Sequence, residues 1–268
     1  MSKPLLGKHI LITRSKEQAP PLVHLMERAG AIPVVVPLLT FKRIESEKNR
    51  KTLQQLHEFT WVFFTSANGV KFFFDYIEML QIPQETLSSI QFAVVGKKTE
   101  QVLQSYGYRA DFQPSQFDGN SMAKQFVKQH ETASIQILLI NGNLSKQDVQ
   151  AQLEAEHIDV EICVIYETIF NVEEQFTLQK AVSTGAIDAY TFTSPSTVQA
   201  FCEFLQEEQG QLEHIKREKV CVCIGTTTEQ EARKLGFTCI LVPEEFTIDE
   251  MVRVLEEHFS EERIDTYE

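Results

Sequence analysis

Short apolar runs alternate with amphipathic stretches along nearly the whole chain. This rhythm predicts an α/β protein with parallel sheets. Strands are expected at 9–13, 32–36, 60–64, 91–95, 109–113, 135–140, 159–165, 187–192, 219–224 and 238–242. Helices are expected near 18–29, 47–59, 67–79, 97–105, 120–129, 146–155, 173–184, 196–208, 227–235 and 247–259. Gly30 stands where a helix ends, and Pro37 closes the second strand. Two segments, 38–44 and 166–171, read as crossings between sheets, and 261–268 as a polar tail. Phe72, Phe73 and Phe74 are expected to pack a helix on its sheet, with one ring left near the surface.

The same signal occurs twice. Phe63-Phe64-Thr65-Ser66-Ala67-Asn68-Gly69-Val70 is echoed by Tyr190-Thr191-Phe192-Thr193-Ser194-Pro195-Ser196-Thr197-Val198. An offset of 128 takes Ser66 to Ser194. An offset of 129 takes Gly96 to Gly225, Thr99 to Thr228, Gly107 to Gly236, Phe117 to Phe246 and Met122 to Met251. A duplicated strand–turn–helix unit predicts two similar lobes with a cleft.

Strand counting then favours one arrangement. Five strands lie between the crossings, and the first two plus the last three also make five. The expected fold is therefore two similar lobes, each a five-stranded parallel sheet flanked by helices, joined by a two-stranded tether. Residues 1–37 and 172–268 form a discontinuous lobe, 45–165 an inserted lobe, and 38–44 and 166–171 the tether. A tandem split near residue 133 gives a less even six and four.

Composition narrows the function. The 268 residues are 43% apolar, which is globular. The 25 basic and 38 acidic side chains give a net charge of −13, which argues against nucleic acid or an anionic membrane surface as partner. No apolar run is long enough to cross a bilayer, and Met1-Ser2-Lys3-Pro4 leads almost directly into a strand, so a cytoplasmic protein is expected. Cys163, Cys221, Cys223 and Cys239 fall in strand runs and Cys202 in a helix pattern. With no CxxC, they read as reduced core thiols. The histidines show no metal-ligand spacing, so no metal is expected.

In an open parallel sheet, ligands sit at the carboxyl ends of strands. The repeated signals lie there. Thr65, Ser66 and Asn68, and in the second copy Ser194 and Ser196, each end a strand and start a helix. Gly96 and Gly225 end strands at tight turns, with Lys97, Thr99, Thr227 and Thr228 in the next helical turn. Free amides and the positive dipole end make such helix starts receptors for carboxylates or phosphates. Ser and Thr at these places are caps in most proteins; their repetition at matched sites is what raises them to candidates. Thr13 and Arg14 close the first strand, where a guanidinium could fork onto a carboxylate. Tyr166, at a crossing, could donate a proton to a leaving group. No turn matches GxxxxGK[ST] or GxGxxG, so a nucleotide cradle is not supported.

The combined pattern resembles the uroporphyrinogen-III synthase family. The resemblance rests on Ile10-Leu11-Ile12-Thr13-Arg14, Pro37, Phe64 to Val70, Val94-Val95-Gly96-Lys97-Lys98-Thr99, Val164-Ile165-Tyr166-Glu167-Thr168, Phe192 to Ser196 and Ile224-Gly225-Thr226-Thr227-Thr228. It implies two α/β lobes, one of them discontinuous, on a two-stranded tether. It implies conversion of the linear tetrapyrrole hydroxymethylbilane to uroporphyrinogen III, with loss of water and inversion of the last ring through a spiro intermediate. The substrate would lie between the lobes, with no cofactor and no metal. Tyr166 would assist departure of the hydroxyl, while Thr228 and Ser194 take the places of the family's helix-start Thr and second-lobe Ser. The family's Arg-Gly after the strand near Ile140 is here Asn141-Gly142, which leaves Lys146 as a base that could substitute. A glycine expected after the next helix is replaced around His157-Ile158. A bilobal anion-binding or regulatory protein that kept the fold and lost catalysis is the alternative. Nothing in the chain calls for an obligate dimer, so a monomer is expected.

Overall fold

The computed structural model describes residues 3–131 and 135–265. The chain runs β1 (His9–Ile12), α1 (Ala19–Arg28), β2 (Ile32–Val35), β3 (Leu39–Arg43), α2 (Glu47–Gln54), a 3-10 turn (Leu56–Glu58), β4 (Trp61–Phe64), α3 (Ala67–Met79), α4 (Gln84–Leu87), β5 (Gln91–Val94), α5 (Lys97–Ser105) and α6 (Gly119–Gln129). It continues through β6 (Gln136–Gly142), α7 (Asp148–Ala155), β7 (Asp159–Phe170), a 3-10 turn (Val172–Glu174), α8 (Gln175–Ser183), β8 (Ala189–Phe192), α9 (Pro195–Phe204), α10 (Gln209–Glu218), β9 (Val220–Cys223), α11 (Thr226–Lys234), β10 (Ile240–Leu241) and α12 (Ile248–Asp265).

The chain divides into two compact units, residues 1–40 with 169–268, and residues 41–168. The first holds a five-stranded sheet in the order β10-β9-β8-β1-β2, with every neighbouring pair parallel. Leu11, Tyr190 and Phe192 pack into one apolar cluster and Ile10, Ile12 and Ala189 into another, as the two-residue period of a strand requires. Helices cover both faces, which is why these strands read as continuous apolar runs.

The second unit holds the order β3-β7-β6-β4-β5. Val62, Phe64, Leu138 and Ile140 face one cluster and Trp61, Phe63, Ile137 and Leu139 the other. The α/β class and the two five-stranded sheets expected from the sequence are thus present, but the second sheet is composed differently. Residues 109–113 make no strand, only an isolated bridge from Phe112 to Ala93. The Asp111 carboxylate accepts the Phe92 amide at 2.8 Å, taking a donor that a strand's carbonyl would otherwise use. The fifth strand is instead β3, one of the expected crossings. The Ile44 amide donates to the Ile165 carbonyl and that of Asn171 to the Leu38 carbonyl, so β3 runs against β7 and that edge is antiparallel.

Other boundaries shift for local reasons. The expected strand at 159–165 and crossing at 166–171 are one strand of 12 residues. The helix expected at 196–208 ends at Phe204, and α10 forms separately. The tail residues 261–265 continue α12, while 266–268 lie outside the described residues. Cys239 is exposed, not a core thiol. Burial pushes the Cys163 thiol up to about 12 and the Cys202 thiol up to about 11, so both stay protonated near neutrality.

His157, just past α7, has φ 57°, the left-handed region that favours glycine. His157→Gly is expected to raise stability by up to about 1 kcal/mol. It should show as a higher urea midpoint at unchanged slope.

Candidate functional site

Both sheets are wound outward from their middles. In the first, β1 leads to β2 on one side and β8 to β9 and β10 on the other, so the connections diverge between β1 and β8. In the second, β4 leads to β5 and β6 to β7, and the divergence lies between β4 and β6. Such switch points are where open parallel sheets leave a crevice. The predicted site residues Thr13, Arg14 and Ser194 fall at the first, and Thr65, Ser66 and Asn141 at the second.

In the second unit the switch point is bridged by side chains. Thr65 Oγ1 donates to Asn141 Oδ1 at 3.2 Å. Ser66 caps α3, its Oγ accepting the Gly69 amide at 2.9 Å, and the same Oγ lies 2.9 Å from the Tyr166 phenol oxygen. Tyr166 starts on β7 and passes over the end of β6. A Cβ at Gly142 would lie 2.5 Å from Tyr166 Cε2 and 2.8 Å from Oη. Gly142 is therefore the space through which the phenol reaches Ser66. Tyr166 is 7% exposed, stacked on Phe72 at 5.2 Å and met edge-on by Phe41 at 6.0 Å. Beside this group is a cavity of about 350 Å³ whose lining includes Thr65, Ser66, Phe117 and Lys146 together with the carboxylates Asp118 and Asp148. Lys146 thus stands at this cavity, and Asn141 is buried with its oxygen engaged. Asn68 is half-buried in the first turn of α3.

The helix starts that follow are open. Gly96 heads α5 and Gly225 heads α11, each without a side-chain cap. The first amides of any helix lack partners within it. Thr99 and Thr228, in these first turns, are 4% and 3% exposed, and neither hydroxyl has a hydrogen-bond partner among the described residues. Lys97 and Thr227 are exposed in the same turns. The Lys97 ammonium sits 5.9 Å from the centre of the Phe117 ring.

In the first unit Ser194 caps α9 in a reciprocal pair with Thr197, three residues on. Ser196 is half-buried in that turn. Thr13 needs correction as a ligand donor: it is fully buried, and its Oγ1 donates to the Thr191 carbonyl at 2.7 Å, holding β1 to β8. Arg14 stands at the same strand end. It is half-buried and has no carboxylate partner among the described residues. Its nearest polar contact is Gln18 Oε1 at 3.4 Å, and Nε is buried unpaired. Burial lowers its pKa, as it does for a cation lacking a counter-ion. The start of α1 supplies no amides to share the task. The Gln18 and Ala19 amides bond the Ser15 carbonyl, and Pro20 and Pro21 have none.

Comparison with known proteins decides the family. The model for uroporphyrinogen-III synthase HemD matches residues 20–253. The chain belongs to the uroporphyrinogen-III synthase family. A relative from Ruminiclostridium josui, a porphyrin biosynthesis protein HemD, is 30% identical over 94% of this chain, and the match spans only 49% of that longer protein. The uroporphyrinogen-III synthase of Chlorobaculum parvum is 29% identical over 89% of this chain and 94% of its own length. The crystal structure of the Helicobacter pylori enzyme superposes with a TM-score of 0.61 at 16% identity, covering 94% of this chain and all of that one, which shows a shared fold.

Within this family frame, the sequence left three participants unread. Phe72 appeared only as a packing ring, although it is the surface on which Tyr166 lies. Gly142 appeared as part of a departure, although it makes room for the phenol. Thr197 was passed over for its neighbours; its place three residues after Ser194 is the signature of a capping pair. Among the described residues no group of His, Cys, Asp or Glu is arranged to hold a metal.

Gly142→Ala is expected to displace Tyr166 from Ser66, costing about 1–3 kcal/mol of stability through overpacking. Chemical denaturation checks the energy. Loss of turnover beyond the fall in folded fraction checks the placement.

Proposed function

We propose that this protein cyclises hydroxymethylbilane to uroporphyrinogen III, as a hydro-lyase that removes water and inverts the last pyrrole ring. The observation that carries the reading is the Tyr166 phenol, brought across Gly142 to Ser66 at the switch point of its sheet. Ser66 Oγ has one proton, and it already accepts the Gly69 amide. Whichever of the two hydroxyls donates to the other, one O–H is left to point outward. That proton can pass to the departing hydroxyl of the substrate, which leaves as water while the pyrrole nitrogen pushes electrons into the resulting azafulvene cation. A pyrrole carbon then attacks that cation, and the proton released as the pyrrole regains aromaticity restores the hydroxyl pair. The pyrroles are reactive by themselves, so the protein's main task is to hold the chain so that inversion outruns direct closure.

The substrate's acetates and propionates supply the anions that the helix starts suit. The uncapped helix starts at Gly96 and Gly225, the unpaired hydroxyls of Thr99 and Thr228, and Arg14, whose Nε has no acceptor and which has no carboxylate partner among the described residues, are donors that an anion can engage. Ordered donors of this kind favour a carboxylate despite the net charge of −13, because salt screens distant charges. A monomer working in the cytoplasm with no metal or cofactor completes the reading, on the strength of the resemblance.

A second reading has one observation in its favour. Asn141 stands where the family carries arginine, and its oxygen is tied to Thr65. A protein of this fold without that guanidinium could bind polycarboxylates without turning them over.

Supplying hydroxymethylbilane and separating the products distinguishes the two. Spontaneous closure yields the type I isomer, so enrichment of type III is expected here; an unchanged isomer ratio would favour the binder. Tyr166→Phe is expected to lower turnover roughly tenfold or more, the low side of a lost proton transfer. Equal turnover would remove the phenol from the mechanism.

A further inference from the structure

Phe117 and Phe246 are 54% and 59% exposed, unusual for phenylalanine, and they occupy matched places in the duplication. In each unit the ring lies against the glycine that heads an uncapped helix. A Cβ at Gly96 would be 3.3 Å from Phe117 Cβ and 3.4 Å from Cγ. A Cβ at Gly225 would be 3.1 Å from Phe246 Cγ, with Cδ1 and Cδ2 at 3.2 and 3.3 Å. The last three distances are nearly equal, so Phe246 lies on its glycine with a ring face. Glycine at these two places thus lets an aromatic ring sit directly beside free helix amides.

Packing alone does not account for the pair. Each ring stands one residue before the cap of the next helix, Asp118 for α6 and Thr247 for α12. An apolar residue there commonly staples to the fourth helical residue, here the fully buried Met122 or Met251. A staple buries its ring, yet more than half of each of these stays open. At the same helix starts, Thr99 and Thr228 are residues more than nine-tenths buried, and their hydroxyls have no partner among the described residues. Each unit therefore sets an open aromatic surface next to unfilled anion donors, and Phe117 also lines the cavity beside Ser66. A flat, electron-rich ring that carries a carboxylate on a short arm matches that combination.

We propose that Phe117 and Phe246 are duplicated positioning residues, each supporting one carboxylate-bearing pyrrole of the substrate while the adjacent start of α5 or α11 holds its carboxylate. This rests on the cyclase reading and adds residues that grip the rings instead of the acid groups. Leucine keeps the staple and removes the aromatic face, whereas tyrosine keeps the face.

The test compares Phe117→Leu and Phe246→Leu with Phe117→Tyr and Phe246→Tyr for KM, kcat, isomer ratio and Tm. Each leucine variant is expected to raise KM roughly two- to tenfold, the range of an aromatic contact, and to leak more type I product. The tyrosine variants should stay near wild type, and Tm should not track these changes. Unchanged KM and isomer ratio in the leucine variants would overturn the proposal, as would equal losses in the leucine and tyrosine variants. Calorimetric binding of uroporphyrinogen III separates this from the cyclase reading. A wild type that makes no type III isomer but binds this probe, more weakly in the leucine variants, would sink the cyclase reading and support the platforms. A wild type that neither cyclises nor binds would overturn both.

Discussion

A parallel sheet wound both ways from its middle must open between its two central strands, because the chain leaves one strand upward and to the left and the other upward and to the right. Every helix that follows a strand begins at that same edge, with unpaired amides and the positive end of its dipole. The rest of the site depends on this constraint. In the unit of residues 41–168 the opening falls between β4 and β6. In the other unit it falls between β1 and β8. The duplicated strands occupy corresponding places, with β8 and β9 standing as β4 and β5 do.

The two switch points are nevertheless finished differently. Between β4 and β6 the opening is spanned by Thr65 and Asn141, and Tyr166 arrives from the next strand over Gly142. Between β1 and β8 the side chains turn inward, Thr13 and Thr191 donating to backbone carbonyls across the pair. That seals the sheet and leaves Arg14 as the polar group projecting from the strand end. Proline at the start of α1 removes amides there, so the full charge of Arg14 stands where free helix amides would otherwise be. The Tyr166 phenol and the Arg14 guanidinium thus belong to different units. The phenol lies between two rings and meets a helix cap, contacts that restrict its orientation.

Much of this was legible in the chain. The repeat at offsets of 128 and 129 located the strand ends, the caps Ser66 and Ser194, and the open glycines Gly96 and Gly225, because capping chemistry is local and depends on residues three apart. The α/β class followed from apolar runs short enough for strands and buried on both faces. The strand assignments that failed were at sheet edges. Residues 109–113 have a strand's alternation, but the Asp111 side chain took the edge amide of Phe92. The segment 38–44 looked like a connection and became β3. An edge strand has one neighbour, and which segment takes that place is settled by competition among distant parts of the chain.

By itself the sequence determined the periodicities, the helix caps, the duplicated strand ends and the chemical types gathered there. All of these depend on residues a few positions apart, so local sterics and hydrogen bonding specify them. Only the tertiary structure decided that the phenol of Tyr166 crosses β6 to meet Ser66, 100 residues away in sequence. It also decided that Thr13 is spent inside the sheet, and that Phe117 and Phe246 lie on the glycines of other helices. Those contacts depend on strand order, and strand order is fixed by how the whole of each unit buries its apolar faces, a property that no short stretch of residues contains.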